Sequence, residues 1–196
     1  MPETYSTAVS LAVLIPCHNE EASIGKVISA FQRELPHASI HVYDNNSTDR
    51  TVEIARTAGA HVAHERLQGK GNVVRRMFSD IDADLYILVD GDDTYEAASA
   101  PAMLELMRSE GADMVTGTRV TEIAAAYRRG HRFGNVLLTG IVRSIFGNRI
   151  TDMLSGYRVF SRRFVKTFPA LSSGFETETE LTIHALELKM PLAELD

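Results

Sequence analysis

Residues 85–95 read Leu-Tyr-Ile-Leu-Val-Asp-Gly-Asp-Asp-Thr-Tyr. Five mostly apolar, partly β-branched residues followed at once by three carboxylates around a glycine predict a buried strand that ends in a charged turn. This pattern narrows the possible folds, because it sets the acidic turn at the edge of a core. Asp90, Asp92 and Asp93 stand too close to ionise together without compensation, and a hard divalent ion such as Mg²⁺ or Mn²⁺ is the usual partner. The plainer alternative is a solvated turn whose acids serve only turn chemistry.

The rest of the chain alternates in the same way. An apolar run at 11–17 is stopped by Pro16-Cys-His-Asn-Glu-Glu, and Ile24, Val27, Ile28 and Phe31 then recur at helical spacing. A second strand is predicted at 39–43. The turn Asp44-Asn-Asn-Ser-Thr-Asp follows, its Thr48 or Asp49 suited to cap a helix reaching Ala58. A short third strand spans 61–64, and Gly69-Lys-Gly-Asn opens a helix to about Ser79. After the strand at 85–89 come a helix around 103–107 and a fifth strand at 114–118. Alternation at this spacing predicts an α/β fold, a Rossmann-like, mostly parallel sheet with helices on both faces. Ligands of such sheets sit at the carboxyl ends of the strands, where the Pro16, Asp44, Lys70 and Asp90 loops all fall.

Beyond residue 118 the pattern changes. Tyr127-Arg-Arg-Gly-His-Arg leads into an amphipathic helix at 133–146, then Asp152, the run Ser155-Gly-Tyr-Arg-Val-Phe and a last helix at about 178–189. Residues 119–166 carry ten Arg or Lys against two acids, Glu122 and Asp152, in a chain of net charge −6. A basic segment facing an acidic site suits a polyanionic partner, while the overall charge argues against nucleic acid. A length of 196 residues with 44% hydrophobic content fits one domain, not two. The single cysteine, Cys17, excludes an internal disulfide framework and points to a reducing compartment. No signal peptide or membrane-length apolar run is visible, so a cytoplasmic location is expected. The closing Met-Pro-Leu-Ala-Glu-Leu-Asp reads as the start of a further strand, as if the chain were truncated there.

Two nucleotide-binding patterns are absent. A dinucleotide site needs glycines where strand one meets helix one, and none occurs before Gly25. The Gly69-Lys70-Gly71 loop lacks the spacing and the Ser or Thr of a P-loop, although Lys70 at a helix start could neutralise a phosphate with help from free backbone N–H groups. Residues 85–94 also fit an apolar strand followed by Asp-x-Asp-x-Thr, which resembles the haloacid-dehalogenase phosphatases, with Asp90 as nucleophile and Asp92 as acid/base. Against it, that signature usually lies near the start of its domain.

Six motifs in order give a better match. Pro16-Cys-His-Asn-Glu-Glu, Asp44-Asn-Asn-Ser-Thr-Asp-Arg-Thr, Gly69-Lys-Gly-Asn, Val89-Asp-Gly-Asp-Asp, Gly117-Thr-Arg and Ser155-Gly-Tyr-Arg together resemble family 2 glycosyltransferases of the GT-A fold. The Arg-rich loop, Asn135 and Asp152 resemble their dolichyl-phosphate mannose synthase and polyprenyl-phosphate branch. The resemblance implies one GT-A domain over 1–196, its nucleotide-sugar part at about 1–118 and its acceptor part at about 119–196. It also implies that Pro16, Asn19, Glu20, Asp44, Lys70, Asp90 and Gly91 bind a GDP- or UDP-sugar. Asp44 would accept from the base, and Asp90 would face the ribose or the metal. Asp92, with Asp90, would hold Mg²⁺ or Mn²⁺ against the diphosphate.

The acceptor decides whether a base is needed. A polyprenyl phosphate at the cytoplasmic face of a membrane is already anionic, and Arg119, Arg128, Arg129 and Arg158 would position it. Arg128 and Arg129 would then count among the catalytic groups with Asp92. A saccharide or other hydroxyl acceptor needs a base, for which Asp152 is the candidate. Inversion at the anomeric carbon is implied by the family. Asn45 departs from the second Asp of many relatives, which weakens any inference between uridine and guanosine. His18, His131 and His184 are read as structural, and the 133–146 helix as core with its basic flanks leaving an interfacial role open; Glu176, Glu178 and Glu180 could reach the acceptor side, although acids complementing a helix N-terminus are the simpler reading.

Overall fold

The computed structural model describes residues 9–117, 153 and 155–195. Each predicted strand before residue 118 is present: β1 (Leu11–Cys17), β2 (Ser39–Asp44), β3 (His61–His64), β4 (Leu85–Leu88) and β5 (Met114–Gly117). Between them lie α1 (Ile24–Glu34), α2 (Thr51–Thr57), α3 (Lys70–Asp80) and α4 (Ala100–Glu110). Two further strands, β6 (Arg158–Ser161) and β7 (Leu192–Leu195), flank α5 (Arg162–Thr167) and α6 (Thr177–Glu187).

The sheet order is β3-β2-β1-β4-β6-β5-β7. Pairs β1–β2, β2–β3, β1–β4 and β5–β7 are parallel. Strand β6, which the sequence pattern did not separate from the motif before it, runs antiparallel between β4 and β5. Its direction matters for the site. An antiparallel strand begins where its parallel neighbours end, so Arg158 lies opposite Leu88, and the Ser155-Gly156-Tyr157 turn is delivered to the carboxyl end of β4.

Alternation along the central strands builds two cores. On one face Val13, Ile15, Ile87 and Val159 pack with Ile24, Ile28 and Phe31 of α1 and Met103 of α4. On the other Leu14, Tyr86, Leu88 and Phe160 pack with Val74 and Met77 of α3, Phe164 of α5 and Leu181 of α6. A strand buried on both faces must be apolar at consecutive positions, which is why β1 and β4 read as runs and not as alternating patterns. The four helical positions Ile24, Val27, Ile28 and Phe31 are all buried, each contributing about 1.5–3 kcal/mol. Among the described residues no helix is long and apolar enough to cross a membrane.

Candidate active site

The loops after β1 and β2 are sewn together by hydrogen bonds between backbone and side chain. Asn19, held at φ +57°, donates its backbone amide to Ser47 Oγ (2.9 Å), and its side-chain oxygen accepts from the Thr48 amide (2.8 Å). The Glu20 amide donates to Thr51 Oγ1 (2.7 Å), and the Arg50 amide donates to Glu21 (3.0 Å). His18 Nδ1 meets the Asn45 carbonyl at 2.8 Å. Asp49 accepts from the Thr51 amide (2.9 Å) and hydroxyl (2.5 Å), securing the start of α2. Although desolvation works in the other direction, these bonds hold its carboxyl below the usual range.

Asp44 ends β2 with its side chain almost wholly buried. Its carboxylate accepts from the Ser47 amide (3.2 Å) and pairs with His64 Nδ1 (2.9 Å). Next to it, the Asn45 side-chain Nδ2 donates to the carbonyls of Glu65 (2.9 Å) and Leu67 (2.8 Å), while Oδ1 accepts from the Gly69 amide (2.7 Å). An aspartate has no proton for the first two bonds, so the departure from the family pattern at Asn45 has a structural cause. It fixes the 65–69 loop.

That loop delivers Lys70 to the Asp90 turn. The ammonium, 7% exposed, lies 2.5 Å from Asp90 Oδ1 and 2.6 Å from Glu178 Oε1. Burial opposes its charge, yet the two carboxylates prevail and raise its pKa. Glu178, at the start of α6, is thereby brought against Lys70 at the Asp90 turn, a placement that its helix-dipole reading does not require. A buried lysine needs more than one acceptor, which is the signal that points to it. Phe175 lies with its ring centroid 6.0 Å from the same ammonium.

The other two acids of the turn have separate surroundings. Asp93, at φ +63°, is ion-paired with Lys26 of α1, and Asp92 accepts from the Thr94 amide (3.0 Å). Gly91 packs so closely on Cys17 that a Cβ there would stand 2.8 Å from its sulfur. A Cβ on Gly156 would collide with the Asp90 carboxylate, and the Gly156 amide donates to Tyr95 Oη (2.7 Å). The Ser-Gly-Tyr-Arg motif thus contributes a close backbone wall to the acidic turn.

Several sequence expectations are relocated. Arg158 is fully buried, its guanidinium donating to the carbonyls of Ser155 (2.9 Å) and Met153 (2.6 Å) and to Thr182 Oγ1 (2.8 Å). It ties β6 to α6 inside the core and does not stand at an acceptor phosphate. Two amides at the start of α3 are engaged within the protein. Gly69 N is taken by Asn45, and Asn72 N by the carbonyls of Gly69 (3.0 Å) and Ser173 (3.3 Å). Pro16 lies within β1, opposite Tyr43. His184 touches Thr167 Oγ1 and the rings of Phe164 and Phe168, a structural setting. Arg119, Arg128, Arg129, His131, Asn135, Asp152 and the 133–146 helix lie outside the described residues.

Whether the turn suits a divalent cation can be read from its field. Glu20 has its pKa raised, first by burial and then by the charges of Asp92 and Asp90. One ammonium, Lys70, faces both Asp90 and Glu178. Among the described residues the neighbourhood of Asp90 and Asp92 is therefore short of positive charge, and its donors are hard oxygens. Among the described residues no cluster of three or more ligating side chains occurs. The arrangement fits an ion that takes one or two carboxylates and completes its sphere with phosphate and water, rather than an all-protein cage.

Residues 12–168 match the family described as Glycosyl transferase family 2. The chain belongs to family 2 of the glycosyltransferases. It is 55% identical to protein RfbJ of Shigella flexneri over 124 residues, 63% of this chain and 96% of that protein. It is 33% identical to a dolichyl-phosphate hexose transferase of Haloferax volcanii over 83% of this chain and 71% of that one. Among solved structures, glucosyl-3-phosphoglycerate synthase of Mycobacterium tuberculosis superposes with a TM-score of 0.76 at 25% identity, covering 96% of this chain and 71% of that one. The synthase has also been crystallised with Mn²⁺, UDP-glucose and phosphoglyceric acid. The fold is thus GT-A and the activity class glycosyl transfer, which overturns the phosphatase reading of Asp90 and Asp92.

Proposed function

We propose that this glycosyltransferase moves a sugar, with inversion, from a nucleotide-diphosphate sugar to a polyprenyl phosphate at a membrane surface. The observation that carries the donor half is the buried Lys70, shared between Asp90 and Glu178 beside Asp92. Departure of a nucleotide diphosphate demands positive charge where negative charge accumulates. Lys70 supplies one such charge, and its two acceptors fix its position before the donor arrives. Asp90 and Asp92 would hold a Mg²⁺ or Mn²⁺ ion, whose Lewis acidity stabilises the leaving diphosphate. Asp44 and the loops stitched to it would seat the base, with Asn19, Glu20 and Gly91 lining the approach to the phosphates.

The acceptor half rests on similarity to the dolichyl-phosphate hexose transferase and on the basic run of residues 119–166. A phosphate monoester is anionic at neutral pH, so its oxygen attacks the anomeric carbon directly. The bond from that carbon to the donor phosphate breaks, and the electron pair leaves with the diphosphate. No proton has to move, and Arg119, Arg128 and Arg129 are the groups that would position the acceptor. The second reading, a hydroxyl acceptor with Asp152 as base, is favoured by likeness to a synthase crystallised with phosphoglyceric acid.

The test is transfer of radiolabelled sugar from UDP- and GDP-sugars to undecaprenyl phosphate, with Mn²⁺ or Mg²⁺, in wild type and Asp152→Asn. Organic-phase product that survives Asp152→Asn supports the lipid-phosphate reading. Transfer to a saccharide acceptor instead, lost by about 10²-fold or more in Asp152→Asn, supports a hydroxyl acceptor.

A further inference from the structure

We infer that His64 is a positioning residue for the nucleotide base, acting through Asp44. The inference rests on the proposal that Asp44 meets the base, and it adds a residue to which none of the sequence motifs points.

His64 is the last residue of β3 and lies directly opposite Asp44 in the parallel register. The ladder continues one step beyond, where the Glu65 amide donates to the Asp44 carbonyl (2.9 Å), so the two residues are locked at the same height at the sheet's carboxyl edge. Across that edge His64 Nδ1 stands 2.9 Å from Asp44 Oδ2. A carboxylate oxygen accepts, so the contact assigns the donor role to Nδ1. The remaining bonds to this carboxylate among the described residues come from one amide, Ser47 N, shared unequally between the two oxygens at 3.2 and 3.4 Å. His64 therefore makes the shortest contact to Asp44 and fixes its side-chain rotation.

The exposure pattern argues for a ligand-facing role over a purely structural one. The Asp44 side chain is 4% exposed and the His64 side chain 50% exposed. A carboxylate that needed only internal neutralisation would be served by a buried partner. Here a buried acceptor is steered by a ring that reaches solvent. An ionised carboxylate has about four acceptor positions. With rotation fixed by His64 and Ser47, one stays in place for a base N–H donor of the kind found on uracil or guanine.

The experiment is calorimetric titration of UDP, GDP and base-free ribose 5-diphosphate, together with steady-state kinetics, for His64→Ala, His64→Asn and Asp44→Ala. His64→Ala should weaken the preferred nucleotide about tenfold and raise the donor KM similarly, with kcat within about twofold of wild type. Base-free ribose 5-diphosphate should bind as before. His64→Asn keeps a side-chain N–H close to the Nδ1 position and should restore most of the affinity. If His64→Ala binds the nucleotide like wild type, or weakens the base-free ligand equally, or if His64→Asn is as weak as alanine, the inference is overturned. Asp44→Ala separates this from failure of the underlying reading. Undiminished nucleotide binding there would remove Asp44 from the base contact, whatever His64 does.

Discussion

The two halves of the site are held together by different forces. Around Asn19, Asp44, Asn45 and Thr51 the contacts are mostly hydrogen bonds between loop backbone and short polar side chains. Around Lys70, Asp90 and Glu178 they are close contacts between full charges, largely buried. The first kind fixes shape and changes little with the charge of a ligand. The second holds an electrostatic balance that an incoming diphosphate and cation must shift. Binding and chemistry should therefore separate by region, and substitutions can test whether they do.

The largest effect is expected at Asp92. Asp92→Asn keeps the shape and the acceptor for the Thr94 amide but removes a hard anionic ligand. Metal-dependent transfer should fall by about 10²–10³-fold, with the melting temperature unchanged within two or three degrees. Activity near wild type in the presence of Mn²⁺ would break the division at its strongest point.

Gly156→Ala asks whether the charged half needs its geometry as well as its charges. The added Cβ would run into the Asp90 carboxylate, which is already held by Lys70 at 2.5 Å. Since Asp90 can yield only by loosening that contact, kcat should fall about tenfold or more while nucleotide affinity at Asp44 stays near wild type. An equal rise in the dissociation constants of all nucleotides would show that the two regions move as one.

Lys70→Met removes the shared cation and leaves Asp90 and Glu178 facing each other. Breaking a buried pair in this way costs about 3–5 kcal/mol. Adding Glu178→Gln should restore part of the loss, because one of the two stranded charges disappears. Chemical denaturation of the single and double variants measures the coupling. Strict additivity would mean that Glu178 does not share the lysine.

The sequence was legible where one local signal decided the outcome. Strands β1 and β4 stand out as apolar runs because both faces are buried, and α1 by the spacing of Ile24, Val27, Ile28 and Phe31. The position of β6 was not legible. Four residues beginning with arginine carry no mark of antiparallel insertion between β4 and β5, which is decided by pairing partners distant in sequence. Arg158 looked like an anion ligand because arginines seldom sit fully inside; here the carbonyls of Met153 and Ser155 and the Thr182 hydroxyl supply acceptors. Glu178 was hidden for a similar reason. A helix start favours acids whatever they touch, and only the fold brings residue 70 against residue 178. At Asn45 the sequence marked the position but not its purpose, since the two carbonyls it serves lie some twenty residues away.

The smallest effect concerns Glu20, which lies between the two regions. Its amide belongs to the stitched loop, donating to Thr51, while its carboxyl sits in the field of Asp92 and Asp90. Burial first, and those charges second, raise its pKa. A carboxyl with a raised folded-state pKa adds stability below its unfolded value, near 4.3, and that stability is lost as pH rises through the folded value. Wild type should therefore carry a small penalty at neutral pH that Glu20→Gln lacks. Because the group is partly exposed, solvent screening limits the difference to a degree or two in melting temperature at pH 7, with none at pH 4. Saturating Mn²⁺ with nucleotide should narrow the gap, because a cation among these carboxylates stabilises the ionised Glu20 of the wild type. A gap that persists with both ligands bound would place Glu20 outside the reach of the charged centre and within the stitched half alone.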